Sequence, residues 1–515
     1  MNFSFKDIFV LDLANNHQGS VLHGIKIINQ CADVVEQHKV RAAIKFQFRD
    51  LPEFIHLTER EQPSNKHVPR FLSTQLSWAD FDKMLSEVKS RKLLSICTPF
   101  DEVSVSKIIE MGFDIIKVAS CSARDWPLLE AVAGSGLPII ASTGGLLQSE
   151  VDDLVSFFIH RGCEFSLMHC VSIYPTPDEA CHLDNIAEFK ERYSGRTIGW
   201  STHEPPQDIM QIGIAAALGA EMFERHVGVE TEEIKLNAYS STPKQIDAWL
   251  SAFSRAKILI GSRKRQVPLE VERQSIDDLR RGVFAKLPIE AGQRINAEDV
   301  YFAFPYIPGQ LSSGEWKAGM VSLETVEVNQ PLIKGNFILD EDPCEHIIKS
   351  AIHEVKALLA YARVPLTHEF TTEYSHHKGI AHFREVGAVL INVINRAYAK
   401  KILVQLPGQS HPLHYHKLKE ETFLVLWGEL LSELDGRERV LKPGDTLTIP
   451  PGVWHRFSTK TGCVFEEIST TAFANDSVYR DPTINDLTSN QRKTVVDHWG
   501  RFQLTEQLRD ARVIR

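Results

Sequence analysis

The sequence predicts an α/β protein whose first half is a barrel of eight parallel strands and eight helices, the (β/α)8 or TIM barrel. From residue 8 to about residue 260, short apolar runs alternate with amphipathic stretches that often end in glycine. Eight near-continuous apolar runs, each followed by a helix, are typical of this fold. An open doubly wound sheet is the alternative. No glycine-rich dinucleotide fingerprint follows the first run, so the barrel is favoured.

The strand-like runs follow one another at intervals that leave room for helices between them. They occupy residues 8–16, 42–48, 93–100, 114–120, 137–145, 165–172, 197–203 and 221–229. Helical patterns such as DEVSVSKIIEMG and DIMQIGIAAALGA lie between the runs. The barrel domain is therefore placed in residues 1–262.

Two smaller domains are predicted after the barrel, because a chain of 515 residues suggests about three domains. The polar segment 262–275 is interpreted as a linker, and short β runs broken by glycine then predict a compact domain over 278–338. A β-rich stretch with the turns DGRE, KPGD and PPG predicts a small antiparallel barrel or jelly roll. We assign residues 345–475 to this all-β domain and 476–515 to a C-terminal tail.

The composition excludes several classes of partner. The net charge of −10 is spread along the chain, without a basic block that would follow the phosphates of nucleic acid. No apolar run reaches the roughly 18 residues of a membrane span, and the first residues lack the pattern of a signal peptide. The eight cysteines are scattered without a CxxC pair, which favours reduced thiols. We therefore expect a cytoplasmic protein that binds neither nucleic acid nor membrane.

Polar side chains mark the ends of the predicted barrel strands, where the chemistry of such barrels collects. Lysines supply point charges and hydroxyls donate hydrogen bonds, so together they suit a phosphate or a carboxylate. His203 and His226 on neighbouring strands can hold a divalent metal and leave positions open for substrate. The candidate residues of the barrel are Asp12, Lys45, Gln47, Thr98, Lys117, Ser120, Ser142, Tyr174, Ser201, His203 and His226.

Eight sequence motifs lie along the barrel in a fixed order. They are LANNHQGS, IKFQ, TPFD, IKVAS, ASTGG, LMHCVSIYPTP, GWSTHE and GAEMFERHVGV. In this order they resemble the sialic acid synthase family. The following RRGVFAKLPIEAGQRINAEDV resembles the antifreeze-protein-like (SAF) domain of that family. The resemblance covers residues 1–338.

The resemblance implies a metal-dependent condensation of phosphoenolpyruvate with a sugar aldehyde, which yields a sialic-acid-like (nonulosonic) acid and phosphate. A divalent ion, Mn²⁺ in many members, is expected on His203 and His226, with Asp12 near the metal water and Tyr174 beside the acceptor sugar. By position, the residues that match phosphoenolpyruvate ligands are Lys45, Gln47, Thr98, Lys117, Ser120, Ser142 and Ser201. We assign catalysis to Asp12, Lys117, His203 and His226. The family also implies a homodimer with exchanged SAF domains.

Positions that contact the acceptor sugar in the family depart from its pattern here. Ser122 stands where the family has an acidic residue, and Ser172 where it has an asparagine. Asn237 lies near a usual aspartate, and Phe304 replaces the SAF arginine that reaches a neighbouring subunit. The positions for phosphoenolpyruvate and metal are kept. We therefore expect the same chemistry on an acceptor other than N-acetylmannosamine.

The C-terminal domain carries a second set of metal ligands. His414 and His416 are two residues apart, so both side chains face the same way on a strand. With Glu421 and His455 they form a set suited to a divalent transition metal. The segment resembles both motifs of the cupin fold, and HYHKLKEET resembles the metal-binding strand of sugar-isomerising cupins. A sugar isomerase and a sugar-binding regulatory module both remain open.

Three other functions are compatible with the residues. Lys45 or Lys117 could form a Schiff base, as in a class I aldolase. The SAF-like segment could belong to a non-catalytic carbohydrate- or ice-binding protein, although such a protein needs no phosphate site inside a barrel. Finally, the chain could be chiefly a cupin isomerase with a degenerate barrel.

Overall fold

A computed structural model of the chain describes residues 3–339, 343–367, 370–473, 475–496 and 499. The chain divides into two compact units, residues 1–267 and residues 268–515. Within the described part of the chain, no helix has the length and apolar character needed to cross a membrane. The cysteines whose side chains are described are free thiols.

The first unit is a closed barrel of eight parallel strands, so the predicted fold class is confirmed. The strands are β1 (Ile8–Asp12), β2 (Arg41–Phe48), β3 (Leu94–Pro99), β4 (Ile115–Val118), β5 (Ile139–Ser142), β6 (Phe165–Cys170), β7 (Ile198–Thr202) and β8 (Met222–His226). Each strand lies within or next to one of the predicted apolar runs. The barrel closes where β1 pairs with β8, from the pair Ile8 and Met222 to the pair Asp12 and His226.

Helices surround the barrel. They are α1 (Val21–His38), α2 (Leu51–Phe54), α3 (Leu57–Glu61), α4 (Val68–Ser73), α5 (Trp78–Ser90), α6 (Glu102–Met111), α7 (Trp126–Gly134), α8 (Gln148–His160), α9 (Asn185–Arg192), α10 (Met210–Ala217) and α11 (Pro243–Ile260). Local signals set their ends: the Ser20 hydroxyl accepts from the His23 N–H at the start of α1, and Gly112 ends α6 with a φ of 70°.

The strands separate two apolar cores. Side chains that alternate along each strand point either outward to the helices, as Phe9 and Leu11 do, or into the barrel, as Ile8 and Val10 do. The inner side chains form a plug of Ile8, Val10, Ala43, Ile96, Ile115, Ile140, Met168 and Met222, all fully buried. The barrel interior is therefore packed rather than open.

The second unit begins with α12 (Glu270–Asp277), which occupies part of the expected linker and has no buried residue. A small core follows, around Val283, Ile289 and Leu332. Its strands are β9 (Gly282–Ala285), β10 (Val300–Ala303), β11 (Val321–Ser322) and β12 (Phe337–Ile338), paired as β9 with β10 and β11 with β12. The assignment of this region to an SAF domain stays a prediction.

The rest of the second unit is α13 (Pro343–Tyr361) and two antiparallel sheets, in the order β20-β17-β22-β15-β14-β13-β24 and β19-β18-β21-β16-β23. The strands are β13 (Thr371–Ser375), β14 (Ala388–Asn395), β15 (Tyr398–Gln405), β16 (His414–His416), β17 (Glu421–Gly428), β18 (Leu430–Leu434), β19 (Arg437–Leu441), β20 (Thr446–Ile449), β21 (His455–Ser458), β22 (Cys463–Thr470), β23 (Ser477–Tyr479) and β24 (Lys493–Val496), with short helices α14 (Pro482–Asn485) and α15 (Ser489–Arg492).

The C-terminal segment differs from the expected tail. Strands β23 and β24 pair with β16 and β13, so residues 477–479 and 493–496 belong to the two sheets. Their alternating side chains, such as the buried Tyr479 and Val496, are what a strand needs for this pairing. Within the expected tail, residues 497–498 and 500–515 lie outside the described residues.

Candidate functional site

A layer of polar side chains lies directly beyond the apolar plug of the barrel. Strand side chains repeat with a period of two, so the residue two positions past each plug residue points the same way. These residues are Asp12, Lys45, Thr98, Lys117, Ser142, Cys170, Ser201 and Glu224, one from each strand, and all are buried. The barrel therefore turns from apolar to polar within one layer, at the carboxyl ends of its strands.

Two lysines in this layer converge on one carboxylate. Lys45 Nζ donates to Glu224 Oε1 at 2.8 Å, and Lys117 Nζ lies 3.2 Å from Glu224 Oε2. Lys117 Nζ also donates to Ser142 Oγ at 2.7 Å, and Ser201 Oγ donates to Glu224 Oε1 at 3.2 Å. Five predicted or neighbouring residues from strands β2, β4, β5, β7 and β8 thus form one connected cluster.

The pKa of each ionisable group in this cluster depends on burial and on the charges of its neighbours. Burial lowers the pKa of Lys117, and Glu224 offsets this only in part. Burial also acts against the charge of Lys45, but Asp12 and Glu224 outweigh it and hold the pKa of Lys45 above its ordinary value. For Glu224 burial is outweighed by the two lysines, which lower the pKa of its carboxyl. Glu224 therefore stays ionised and has a lysine side chain on each side.

Closure of the barrel brings Asp12 into the same cluster. Asp12 is directly opposite Lys45 on β2 and His226 on β8. Its Oδ2 atom lies 3.0 Å from Lys45 Nζ and 3.4 Å from His226 Nε2, and it accepts from Gln47 Nε2 at 3.4 Å. The carboxylate thus links the lysine half of the site to the histidine half.

The two predicted metal ligands of the barrel are neighbours. The ring centroids of His203 and His226 are 5.3 Å apart. His203 Nδ1 lies 2.9 Å from the Val171 carbonyl oxygen, an arrangement in which Nδ1 donates and Nε2 is free to bind a metal. Burial lowers the pKa of both imidazoles, to about 3 for His203, so both are neutral at pH 7, as metal ligands must be. These two residues fit a divalent ion.

The remaining predicted barrel residues lie around this centre. Thr98 Oγ1 is buried and has no hydrogen-bond partner among the described residues, which suits a ligand oxygen. Ser120 Oγ accepts from the Gly144 N–H at 2.9 Å, so it is committed to the loop after β5. Tyr174 is half exposed, and its ring centroid lies 4.3 Å from that of His203.

Sequence reasoning missed the roles of two residues. Glu224 is not among the candidate residues from sequence, although it is two positions before His226 and so faces the same way. Tyr239 was not singled out, yet its ring lies 5.1 Å from His226 and 5.2 Å from Tyr174. It follows β8 in a loop, where no periodic signal reveals its direction.

The second site lies between the two C-terminal sheets. Ligand atoms of His414, His416, Glu421 and His455 all lie within 4.8 Å of one another, and all four residues are buried. His414 and His455 are paired across β16 and β21. The structure thus brings all four predicted ligands together. The spacing of two residues between His414 and His416, and the position of His455 on a later strand, had predicted this.

The ring nitrogens of this site are oriented for a metal. His414 Nδ1 lies 2.9 Å from the Pro412 carbonyl oxygen, and His455 Nδ1 lies 3.0 Å from the Val453 carbonyl oxygen. Each Nδ1 donates in this arrangement, which leaves Nε2 as the ligand atom. Burial holds the pKa of His414 well below its usual value, so its imidazole is neutral. The four residues fit a divalent transition metal.

A packed eight-stranded barrel with cationic and metal-ligating side chains at its carboxyl-end mouth defines a (β/α)8-barrel enzyme that acts on an anionic substrate. Comparison with known proteins then specifies the family. The model of the NeuB family matches residues 34–265, and a cupin domain model matches residues 402–465.

Solved and curated relatives agree with these matches. The crystal structure of a Chromobacterium violaceum protein named for spore coat polysaccharide biosynthesis (protein E) is 40% identical, with a TM-score of 0.62; the match covers 65% of this chain and all of that one. An uncharacterised protein of Methanocaldococcus jannaschii is 29% identical over 56% of this chain and 82% of its own length. The N-acetylneuraminate-9-phosphate synthase of Drosophila melanogaster is 29% identical over 48% of this chain and 68% of its own length. The chain belongs to the NeuB family, and it is a sialic acid synthase-like transferase that uses phosphoenolpyruvate.

Proposed function

We propose that the barrel condenses phosphoenolpyruvate with a sugar aldehyde in a Mn²⁺-dependent reaction, giving a nonulosonic acid and phosphate. The observation that carries this proposal is the pair of buried lysines that meet at Glu224, next to the neutral His203 and His226. Two ammonium groups suit a substrate with a phosphate and a carboxylate. The adjacent imidazoles suit the cation that such an aldehyde addition requires.

His203 and His226 would hold the divalent ion. When bound, this ion acts as a Lewis acid that polarises the aldehyde oxygen. Lys45 and Lys117 hold the anionic groups of phosphoenolpyruvate, and the unpaired hydroxyl of Thr98 donates one more hydrogen bond. Because both lysines are buried and held by Glu224, they need little reorganisation when substrate binds.

The bonds change as follows. The methylene carbon of phosphoenolpyruvate attacks the aldehyde carbon, and C2 becomes an oxocarbenium-like centre. Water adds to C2, and the bond between C2 and the bridging oxygen breaks, so phosphate leaves. One proton of the water goes to the new alkoxide and the other to the phosphate. Asp12, which contacts both Lys45 and His226, is positioned to carry one of these protons.

We further propose that the acceptor is not N-acetylmannosamine. Ser122 is buried at a position where the family has an acidic residue, and Ser172 Oγ occupies space beside Gly144, where an added Cβ would be only 2.5 Å away. Tyr174 and Tyr239 add two aromatic rings beside the histidines, and such rings pack against the apolar faces of sugars. This combination favours an acceptor with different polar substituents.

A phosphate-release assay tests the reaction. Purified protein with phosphoenolpyruvate and Mn²⁺ is offered hexosamines, hexoses and pentoses, and release above the sugar-free background is expected with at least one of them. Chelation of the metal should abolish phosphate release, and added Mn²⁺ should restore it. If no aldose releases phosphate at any metal concentration, the reaction is wrong and the non-catalytic binding function is favoured.

The class I aldolase mechanism makes a different prediction for the same lysines. A Schiff base requires that borohydride, in the presence of pyruvate, labels Lys45 or Lys117 covalently. We expect no labelled peptide, because both ammonium groups already contact Glu224. Mass spectrometry after reduction separates the two mechanisms.

The cupin-type site is proposed to bind a second divalent metal, and its activity is separable from that of the barrel. His203→Ala should abolish phosphate release and leave the second metal in place. His455→Ala should keep phosphate release and lose the second metal. Absence of phosphate release in the unmodified protein, together with a sugar isomerase activity that His455→Ala abolishes, would instead favour a degenerate barrel with a working cupin isomerase.

The domain limits 278–338 and 345–475, the SAF assignment and the homodimer are proposals as well. Family analogy supports a dimer with exchanged SAF domains, although the arginine that reaches the neighbour is replaced by the exposed Phe304. Light scattering of the full chain tests the homodimer, because a mass near 58.2 kDa, that of one chain, would contradict it.

A further inference from the structure

A cavity of about 950 Å³ in the second unit includes His414, His416 and Glu421 of the metal set among its walls. We propose that this cavity binds an anionic sugar, meaning a polyhydroxylated molecule with one carboxylate or phosphate, and that Arg492 receives the anionic group. The metal set would take sugar oxygens at the other end. This inference concerns the cupin-type domain and does not depend on turnover by the barrel.

The floor of the cavity is a polar row across the seven-stranded sheet. Glu467 on β22 is directly opposite Lys401 on β15, and Lys401 is opposite Asn392 on β14. Asn392 Nδ2 donates to Glu373 Oε1 at 3.3 Å, on β13. A row of alternating hydrogen-bond acceptors and donors matches the hydroxyls of a sugar, because each hydroxyl both donates and accepts.

The lysines beside this row already have carboxylate partners. The buried Lys419 Nζ lies 2.5 Å from Glu421 Oε2 and donates to Glu467 Oε1 at 2.9 Å. At the other end of the row, Lys493 Nζ donates to Glu373 Oε2 at 2.7 Å. These lysines therefore orient the floor but have little charge left for an anionic ligand.

Arg492 is different, because no carboxylate of the described residues lies within ion-pair distance of its guanidinium. The group is partly buried, lines the cavity and lies 5.5 Å from the ring centroid of Tyr479. The Tyr479 ring in turn is stacked with His414 at 5.5 Å. One aromatic side chain thus contacts both the free guanidinium and a metal ligand, so a ligand of sugar size can reach both ends.

The charge of the whole cavity agrees with this arrangement. Its carboxylates are Glu373, Glu421, Glu467 and Asp476. Its cations are Lys401, Lys419, Arg492 and Lys493. The two sets balance, so a divalent ion on the metal set leaves the cavity two charges positive. A neutral sugar does not correct this excess, whereas a carboxylate or a phosphate does.

Two buried histidines extend the binding surface without adding charge. His411 lines the cavity, is buried, and has no partner for Nδ1 among the described residues. His377, whose ring lies 4.8 Å from that of His411, pairs through Nε2 with the Tyr479 hydroxyl at 2.8 Å. The free Nδ1 of His411 is one more site for a ligand hydroxyl. The cavity volume is also within the roughly 300–1,000 Å³ of small-molecule sites.

Calorimetric titration of the metal-loaded full chain tests the proposal. The ligands form two pairs: N-acetylneuraminate with neutral N-acetylmannosamine, and glucose 6-phosphate with neutral glucose. At least one anionic member should bind about tenfold or more tightly than its neutral partner, as expected of a charge-assisted hydrogen bond. The preferred pair identifies the anion as carboxylate or phosphate. Equal binding within both pairs would overturn the proposal.

Variants locate the site. Arg492→Gln should weaken anionic binding about tenfold or more and leave neutral binding and metal content unchanged. Arg439→Gln, an exposed arginine on β19 of the same domain, is the matched control. His203→Ala should not alter the binding, which excludes the barrel. Should Arg492→Gln lose metal, Arg492→Lys replaces it, with an intermediate affinity expected. Unchanged anion affinity in both Arg492 variants contradicts the assignment.

Discussion

Glu224 is the residue on which the lysine cluster of the barrel depends. It contacts Lys45, Lys117 and Ser201 within the polar layer, and it is 3% exposed. A buried ammonium group without a counterion is unfavourable, so two of them in one site require this carboxylate. In the proposed reaction, the anionic groups of phosphoenolpyruvate share that function.

Glu224→Gln should therefore destabilise the free protein and increase the stabilisation that phosphoenolpyruvate gives on binding. Loss of one partner from a buried ion pair costs about 3–5 kcal/mol. Thermal unfolding should show a lower midpoint without ligand and a larger upward shift with phosphoenolpyruvate than in the unmodified protein. Glu221→Gln, which removes a partly exposed partner of Lys6 and Lys190, is the control and should change stability by less than about 1 kcal/mol. An equal decrease of the ligand-free unfolding midpoint in both variants would refute the role of Glu224.

His17 makes the stability of the barrel unit depend on pH. It is 2% exposed, and burial followed by the charge of Arg70 lowers the pKa of its imidazole to about 4. In the unfolded chain the imidazole takes up a proton near pH 6.5, but in the folded protein only near pH 4. Protonation thus favours the unfolded state, and stability is lost as the pH falls from 6.5 to 4.

His17→Asn should remove this contribution, because the Asn side-chain oxygen can still accept from the Gly19 N–H and does not titrate. Between pH 7 and pH 5 the free energy of unfolding should fall by about 2 kcal/mol less than in the unmodified protein. Urea unfolding at both pH values measures the difference. The exposed His67→Asn is the control, and an identical loss in both variants would contradict the assignment.

At the scale of elements, β7 supplies no side chain to the apolar plug at Gly199. A Cβ added there would lie 2.7 Å from the Met222 carbonyl oxygen and 3.1 Å from Met168 Cε. The neighbouring methionines fill the space instead. Directly beyond this glycine, Ser201 enters the polar layer, so the packing of the plug sets the position of the polar side chains above it.

Gly199→Ala should destabilise the barrel by about 1–3 kcal/mol, because backbone and side chains must move to admit the methyl group. Phosphate release should fall as well, since β7 carries Ser201 and leads to His203. Gly134→Ala at the end of α7 is the control: nothing lies within 4 Å of its Cβ, and it should be neutral or slightly stabilising. Chemical denaturation compares the two, and a neutral Gly199→Ala would show that the plug can relax.

Strand direction was the part of the site that sequence could predict. The alternation along β2, β4 and β8 aligns Lys45, Lys117 and Glu224 on inner faces, and the spacing of His414 and His416 did the same on β16. Loop residues such as Tyr239 carry no such periodicity. Their direction depends on the contacts they make after the chain has folded.

At the scale of the whole molecule, the chain carries two candidate metal centres on two compact units. The full chain should therefore bind two divalent ions. His455→Ala should lose one and His203→Ala the other, as measured by elemental analysis after gel filtration. Each lost ion should belong to one unit only, because the ligands of each centre come from that unit. Loss of both ions in either variant would show that the centres are not independent.

The sequence by itself determined the eight-stranded barrel, the β-rich C-terminal domain, the inward direction of the polar strand residues and the candidate metal ligands, because these follow from periodicity and motif order. The tertiary structure decided which charges meet. Closure of β1 on β8 brings Asp12 to His226, and the barrel register brings both lysines to Glu224. It also brought β24 back to β13, which places Arg492 at the cupin-type cavity. Such pairings depend on registers between strands far apart in the chain, and local sequence does not encode them.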